Sequence, residues 1–354
     1  MWKAIPLVLA LLAAGQGINQ AAAEPMEIRC GNTDVSIPER IAGCTAIIDG
    51  GQNLGRELAQ AYANRGLAYT QTRNLARAGE DVEKAVQIDP SNVTAWTTRA
   101  NYFYVINKPD LAMKAANKAV ELDPELPMTY FVRAAAATKL ENYDLAIADY
   151  SEAIRRRPNF AQLYDLRGYA YHKKGDEDRA IADYDERLRR EPNSIGSILN
   201  RGDARRNKKD YAAAADDYSK AIELDPNNPG GYNGRGFVRQ VMQDFKGSAA
   251  DLDQAIKLQP NNPSLYTNRG NAFAMMGEKK RAMADYDTAL RLEPGHPINH
   301  VNRAMLLNEM GDTAGAMAGI RKALAIAPDF PPALEQLKKI EAKSSEAKAS
   351  APKK

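Results

Sequence analysis

The sequence predicts an all-α fold built from eight helical hairpins of 34 residues each. Two observations lead to this prediction: a proline recurs at an unbroken spacing of 34 residues, and small residues recur at matching places between the prolines. A fixed period of this length is typical of repeat architectures, in which each hairpin buries its apolar face against its neighbours. The eight prolines are Pro90, Pro124, Pro158, Pro192, Pro226, Pro260, Pro294 and Pro328.

Each repeat is numbered here so that its recurring proline is position 32. Several repeats then begin with a proline, which suits the first turn of a helix because the N–H group there needs no partner. The predicted array covers residues 59–330, and its repeats begin at Ala59, Val93, Pro127, Ala161, Ile195, Pro229, Pro263 and Pro297.

Small and large side chains alternate along the predicted helices. Position 8 is Gly or Ala in every repeat, and position 20 is Ala in all repeats except the one with Ser248. Bulky residues fall at positions 4, 11 and 24, for example Tyr164, Tyr171 and Tyr184 in one repeat. This alternation predicts two helices per repeat, A and B, that approach closely at the small residues.

These residues resemble the tetratricopeptide-repeat (TPR) pattern, which has the same period and reads Trp-x2-Leu-Gly-x2-Tyr, then Ala-x3-Phe, then Pro. The resemblance covers residues 59–330, and Trp96 keeps the pattern's Trp, which Tyr replaces in most other repeats. It implies a right-handed α-α superhelix, a TPR solenoid, whose A helices line a concave surface. The main departure is position 7, where the pattern has Leu and this chain has Arg.

The position 7 arginines allow two interpretations. Eight arginines in register could bind a polyanion, but position 23 holds an Asp in six repeats, so each Arg could pair with an Asp of its own or a neighbouring repeat. We favour this structural ladder, which only Ala115 and Gly319 interrupt. Its members are Arg65, Arg99, Arg133, Arg167, Arg201, Arg235, Arg269 and Arg303, with Asp81, Asp149, Asp183, Asp217, Asp251 and Asp285.

The resemblance also implies a binding surface at positions 2, 5, 6, 9, 12 and 13 of the A helices. The Asn at position 6 of four repeats is similar to the asparagine ladder with which some TPR superhelices hold an extended peptide, since an amide both donates and accepts. Aromatic residues nearby would anchor partner side chains. The alternative is that Asn merely suits a wet helix face. The predicted residues are Asn64, Asn200, Asn268, Asn302, Tyr104, Phe131, Tyr169 and Phe237.

Residues 1–23 are predicted to be a signal peptide. Lys3 precedes an apolar run over residues 5–14, and three alanines at residues 21–23 supply a cleavage site, so the mature chain would begin at Glu24. An uncleaved anchor is the alternative, but the run is well short of the roughly 20 residues that span a membrane. We therefore expect an exported protein without stable membrane insertion, located in the periplasm if the source is a Gram-negative bacterium.

Capping segments flank the predicted array. Residues 24–58 contain a predicted helix over 38–48 and a loop before the first repeat. Cys30 and Cys44 are expected to form a disulfide because export leads to an oxidising compartment, although two buried free thiols are the alternative.

The C-terminal end is predicted to be closed by a capping helix over residues 331–343, with Leu334 and Leu337 directed inward. Solenoids need such polar-faced ends. The lysine-rich remainder, residues 344–354, is predicted to be disordered.

One A helix is rich in glycine. Since each Gly costs about 1 kcal/mol relative to Ala in a helix, this helix is expected to be the weakest of the array. It is either a functional flexible point or the result of drift. Its glycines are Gly230, Gly231, Gly234 and Gly236.

Composition argues against several functional classes. A net charge of +3 is far from the dense basic surface of a nucleic-acid binder. The two cysteines do not form a Cys-x-x-Cys pair, and with three histidines they give little support for a metal. No catalytic motif is present, and the lone His172 at position 12 is not expected to be catalytic. The chain is therefore predicted to be a non-enzyme without cofactors.

Three functional hypotheses follow. The leading one is an exported scaffold or adaptor that mediates protein–protein interaction by binding extended peptide segments in a concave groove. The second is a self-assembling structural solenoid, and hence a homo-oligomer. The third is an accessory subunit of a cell-envelope enzyme complex.

Overall fold

The computed structural model describes residues 28–51 and 55–349 of the chain. The predicted leader, three residues of the loop before the first repeat, and residues 350–354 lie outside the described residues. The described part consists of helices and turns, without strands, which confirms the all-α prediction. None of its helices combines the length and the apolar character needed to cross a membrane. The chain divides into two compact units, Met1–Pro192 and Asn193–Lys354.

The first unit contains a 3-10 helix over Ile28–Cys30, a capping helix and four helical hairpins. Its α-helices are α1 (Ile37–Asp49), α2 (Arg56–Gln71), α3 (Leu75–Ile88), α4 (Val93–Val105), α5 (Pro109–Leu122), α6 (Pro127–Lys139), α7 (Tyr143–Arg156), α8 (Gln162–Lys174) and α9 (Glu177–Arg190).

The second unit contains four further hairpins and a C-terminal helix. Its helices are α10 (Ile195–Asn207), α11 (Tyr211–Leu224), α12 (Pro229–Val241), α13 (Phe245–Leu258), α14 (Pro263–Met275), α15 (Lys279–Leu292), α16 (Pro297–Glu309), α17 (Thr313–Ile326) and α18 (Pro331–Ala349). In both units the even-numbered helices α2 to α16 are the A helices, and the odd-numbered helices α3 to α17 are the B helices.

The recurring proline ends each B helix and starts the turn to the next repeat. All eight B helices have 14 residues and stop two residues before this proline, as expected because proline disfavours helical geometry in the residue before it. In several repeats the side chain at position 4 of the next A helix then hydrogen-bonds the proline carbonyl. Trp96 donates to Pro90 at 2.8 Å, and Tyr266 donates to Pro260 at 2.9 Å.

The turn between helices A and B contains one residue with a left-handed backbone at position 15 of every repeat. Its φ lies between 59° and 91°, a region that favours glycine. Only three of the eight residues are glycine, namely Gly175, Gly277 and Gly311; the other five are Arg73, Asn107, Glu141, Lys209 and Gln243.

The N-terminal cap is helix α1, which begins with a capping box between Ser36 and Glu39. The Sγ atoms of Cys30 and Cys44 are bonded in a disulfide, which ties the 3-10 helix to α1. Cys44 is fully buried against Ala61 of α2.

The C-terminal cap differs from the prediction in two respects. Helix α18 extends to Ala349 rather than ending at residue 343, so residues 344–349 are helical and not disordered. Ala, Glu and Lys favour helices, and no proline occurs between residues 333 and 351. Leu334 is exposed, and the inward side is formed by Ala333, Leu337 and Ile340. These residues are spaced one helical turn apart.

Candidate functional site

The close packing at position 8 determines which side of each A helix is exposed. A Cβ atom added to Gly168, Gly202 or Gly270 would lie 2.8–2.9 Å from a ring atom of the tyrosine at position 24 of the same repeat. A side chain at these three glycines would therefore require the tyrosine ring to shift. Position 8 therefore faces helix B, and positions 2, 6, 9 and 13 lie toward the other side of helix A, which is the candidate binding surface.

The position 7 arginines form a structural ladder on the packed side of the A helices. In six repeats the guanidinium makes a bidentate pair with the Asp at position 23 of its own repeat, at 2.7–3.1 Å from Nε and 2.5–2.9 Å from Nη2. The aspartates are buried. The hydrogen bonds that Arg65 and Arg133 donate to Asp81 and Asp149 raise the pKa of both guanidinium groups.

The two repeats that lack an Asp at position 23 use a different partner. Arg99 donates to Glu83 at 2.9 Å, and Arg303 donates to Asp287 at 2.6 Å. Both carboxylates occupy position 25 of the preceding repeat. The pairs at position 23 are thus interrupted at Ala115 and Gly319 as expected, and Arg99 and Arg303 pair instead with the helix B of the preceding repeat.

The repeat pattern matches known family models. A model described as TPR repeat matches residues 135–175, 202–243 and 241–277, and one described as Tetratricopeptide repeat matches residues 59–92, 161–194 and 263–296. Together they cover more than half of the 354 residues. The chain belongs to the tetratricopeptide-repeat family. No curated protein sequence matches this TPR chain.

Solved structures share the TPR fold at low sequence identity. A TPR protein from Parabacteroides merdae is 19% identical with a TM-score of 0.59, over 70% of this chain and 98% of that chain. The APC/C hetero-tetramer Cut9-Hcn1 is 16% identical with a TM-score of 0.57, over 89% of this chain and 62% of that chain. The C-terminal part of a TPR protein from Cytophaga hutchinsonii is 20% identical with a TM-score of 0.53, over 68% and 98%. These similarities concern the fold alone.

The predicted asparagines of the second unit lie half-buried on the exposed side of the A helices. The Nδ2 group of Asn268 donates to Asn233 on α12 at 3.1 Å, and that of Asn302 donates to Asn271 on α14 at 3.2 Å. Asn271 also accepts from the Tyr286 hydroxyl at 2.9 Å. Asn200 lies on α10 and is likewise half-buried. Neighbouring A helices of this unit are thus joined by side-chain amides.

Two predicted residues of the first unit are less suited to binding. Phe131 is 2% exposed, and its ring lies 6.4 Å from that of Tyr150 in the core. Its assignment as a groove residue is wrong, because position 5 of α6 faces helix B. Asn64 is half-buried, accepts from Gln60 at 3.0 Å and points its Nδ2 toward Cys30. It therefore lies beside the N-terminal cap.

The remaining predicted aromatic residues each lie next to a cation. The Lys139 ammonium is 4.5 Å from the Tyr104 ring centre, and the Lys173 ammonium is 5.4 Å from that of Tyr169. Burial raises the pKa of both tyrosines. In the second unit Phe237 is exposed, and the Arg206 guanidinium lies 5.3 Å from its ring.

The sequence interpretation missed several residues of the second unit's surface. Gln240 donates to the backbone carbonyl of Asn268 at 2.6 Å. Val241, Met275 and Met305 are large apolar residues that stay exposed at positions 13 and 9. Their positions in the repeat were the available signal, since positions 9 and 13 both belong to the predicted binding surface and position 9 also supplies Tyr169 and Phe237.

Side chains suited to catalysis or metal binding are few in the described part of the chain. His172 lies 2.7 Å from Glu177 through Nδ1, so it joins the end of α8 to the start of α9. The described residues contain no group of three His, Cys, Asp or Glu side chains that could hold a metal ion.

Proposed function

We propose that this TPR protein is an exported scaffold that binds extended segments of partner proteins along the exposed side of its A helices. The TPR fold is consistent with a scaffold for protein–protein interaction. Binding of extended segments is supported by one observation in particular, the position 6 asparagines of the second unit.

Asn268 and Asn302 lie on the neighbouring helices α14 and α16 and give one N–H each to an adjacent A helix. This bond holds the orientation of the amide. The Oδ1 atom and the second N–H then remain for a ligand. An amide with a fixed direction can pair with the C=O and N–H groups of an extended backbone.

Export is the second part of the proposal. It is supported by the predicted leader at residues 1–23 and by the disulfide between Cys30 and Cys44, which suits an oxidising compartment.

The test is chemical crosslinking of the protein in its native compartment. We expect Asn200→Ala combined with Asn268→Ala to lower partner capture at least fivefold without unfolding the chain, which a cooperative melting curve would verify. The control replaces Asn227 and Asn261, two exposed asparagines in turns between repeats, by Ala. Equal capture by both double variants would reject the groove assignment. The same sample tests the export proposal. A chain in that sample that still carries residues 1–23 would contradict removal of the predicted leader.

A further inference from the structure

One arginine of the N-terminal cap is buried without a carboxylate partner. Arg40 on α1 is 6% exposed, and its guanidinium donates to one described residue, the neutral Oε1 atom of Gln71 at 2.5 Å. The Nε–H group of Arg40 is buried and has no partner. The other buried arginine of the described residues, Arg187 on α9, pairs with Glu191. A buried cation without a counter-charge is costly, so the burial of Arg40 requires an explanation.

The carboxylates of the elements next to Arg40 are engaged or distant. Glu39 on α1 closes the capping box of that helix. Asp34 is exposed in the turn before α1. Asp49 lies at the other end of α1, about 13 Å along the helix axis, and Glu57 lies in the first turn of α2, at the far end of that helix. None of them forms an ion pair with Arg40.

The end of α2 explains why a cation is tolerated here. Gln71 is the last residue of α2, and the C-terminal end of a helix carries a partial negative charge of about half an elementary charge. The carbonyl groups of Ala68, Tyr69 and Thr70 at this end accept backbone N–H groups of the following turn. The helix end therefore offsets part of the charge of Arg40 and leaves its Nε–H group unsatisfied.

Arg40 differs in this respect from the ladder arginines of the same unit. Burial lowers the pKa of Arg40, whereas the hydrogen bond to Asp81 raises the pKa of Arg65. At Arg65 a carboxylate more than offsets the loss of hydration. A carboxylate beside Arg40 would do the same, because two of its oxygens match the parallel N–H groups of a guanidinium.

Gln71 connects Arg40 with the proposed binding surface. It occupies position 13 of the first repeat, and Thr70 occupies position 12, so both lie at positions that the family uses for binding. Gln71 is half-buried, and its side chain would have to turn for a ligand to reach the guanidinium. After that turn its amide can also donate to the ligand.

We infer that Arg40 and Gln71 form a binding site for a carboxylate group of a partner protein. The Nε–H and one Nη–H group of Arg40 would hold the two carboxylate oxygens. The inference rests on the proposed function for the source of this carboxylate, which is either an acidic side chain or the C-terminus of the bound segment. The site itself is tested with small carboxylates, independently of any partner.

The test measures the thermal unfolding midpoint of the full chain, with its disulfide intact, in sodium acetate and in sodium chloride of equal ionic strength. We expect acetate at about 100 mM to raise the midpoint by about 2–4 °C relative to chloride, the shift given by a ligand at roughly ten times its dissociation constant. Phosphate at the same ionic strength should give a smaller rise, and a larger one would contradict a carboxylate site.

Two blocked compounds separate the sources of the carboxylate. Glutamate acetylated at its amino group and amidated at its α-carboxyl group carries the charge only in the side chain. Acetylated glycine carries it only at the chain end. Either should raise the midpoint as acetate does, and the compound with the larger shift identifies the source.

The site variant is Arg40→Met, which removes the charge and keeps a long side chain. It should lose the acetate-specific rise, and its midpoint in chloride should not fall, because a buried charge without a counter-charge is replaced by an apolar group. The matched control is Arg56→Met, the same change at an exposed arginine of α2, which should keep the rise. Arg40→Lys keeps the charge without the paired N–H groups and should retain less than about half of the rise.

Two outcomes would overturn the inference. One is the absence of an acetate-specific rise in the unchanged chain. The other is an equal rise in Arg40→Met and Arg56→Met, which would be a general effect of the salt. An acetate-specific rise that requires Arg40, together with equal partner capture by the two asparagine double variants, would reject the proposed groove and leave the carboxylate site standing.

Discussion

The two units share one framework but present different surfaces at position 9 of the A helices. In the first unit Leu67, Asn101 and Ala135 occupy this position and are buried, where helices α2, α4 and α6 lie against one another. In the second unit Phe237 and Met305 occupy it in two repeats and are exposed, and Asp203 and Asn271 occupy it in the other two and are half-buried. The side of helix A that is closed in three repeats of the first unit is therefore open in the second.

The framework itself does not differ between the units. Arg133 pairs with Asp149 in the first unit as Arg235 pairs with Asp251 in the second, with nearly the same distances. Positions 7, 8, 23 and 24 thus determine how helices A and B pack, whereas positions 6, 9 and 13 determine the surface. Because the two sets lie on opposite sides of helix A, the binding surface can change without a change of fold.

The largest effect is expected from removing a carboxylate shared by two arginines of the second unit. Asp217 is 2% exposed and accepts from both Arg201 and Arg205. Asp217→Ala removes the buried carboxylate that both guanidinium groups pair with and should lower the free energy of unfolding by about 3–4 kcal/mol. Chemical denaturation of the full chain followed by circular dichroism measures this change, and hydrogen exchange should locate it in α10 and α11.

A pair of the first unit serves as the control. The Glu83 side chain that pairs with Arg99 is 41% exposed, so Glu83→Ala should cost less than about 1 kcal/mol. Arg201→Leu should also be tolerated, because Arg205 still pairs with Asp217. Similar losses of unfolding free energy for Asp217→Ala and Glu83→Ala would show that the contribution of an ion pair in the ladder does not depend on its burial.

The helical framework could be predicted from the sequence because the residues that define it recur at the same position of each repeat. The spacing of Pro90 and its equivalents gave the phase, and α4, α6, α10, α12, α14 and α16 begin at the first residue of a predicted repeat. The left-handed turn residues were not predicted. Gly175, Gly277 and Gly311 share position 15, but Lys209 and Gln243 adopt the same conformation against their preference. Tertiary packing overrides the local preference there.

The surface was harder to predict because each position depends on how closely neighbouring helices approach. Phe131 was assigned to the groove from its position alone, yet its ring is needed against Tyr150 in the core. The partner of Arg99 was not identified from the sequence, because Glu83 is at position 25 of the preceding repeat and not at position 23. The first contact joins two helices of one repeat and the second joins neighbouring repeats, and the spacing of residues along the chain specifies neither.

The disulfide occurs in the first unit and allows a test restricted to that unit. The bond between Cys30 and Cys44 closes a loop of 14 residues in sequence separation, which corresponds to a stabilisation of about 2–3 kcal/mol. Reduction should lower the free energy of opening, as measured by hydrogen exchange in Ile28–Cys30, α1 and α2, by this amount. The helices of the second unit should remain unchanged. Cys30→Ser with Cys44→Ser should behave like the reduced protein, and unchanged protection of α1 would contradict the prediction.

The glycine-rich helix α12 of the second unit was expected to be a weak point, either functional or the result of drift. The structure gives two of its glycines a packing role. A Cβ atom on Gly234 would lie 2.6 Å from ring atoms of Tyr218, and one on Gly231 would lie 2.8 Å from Ile222. Tyr218 is buried and donates to Asp203 at 2.7 Å. These glycines make room for side chains of the preceding repeat.

Gly234→Ala should therefore destabilise the second unit by about 2 kcal/mol, since overpacking costs more than the gain in helix propensity. Gly196→Ala on the neighbouring helix α10 is the matched control. A Cβ atom there meets nothing within 4 Å, so this variant should be stabilised by about 0.5–1 kcal/mol. Denaturation midpoints of the two full-length variants should shift in opposite directions. A stabilising shift in both would mean that Tyr218 moves aside at little cost, and α12 would then be a helix whose glycines are replaceable.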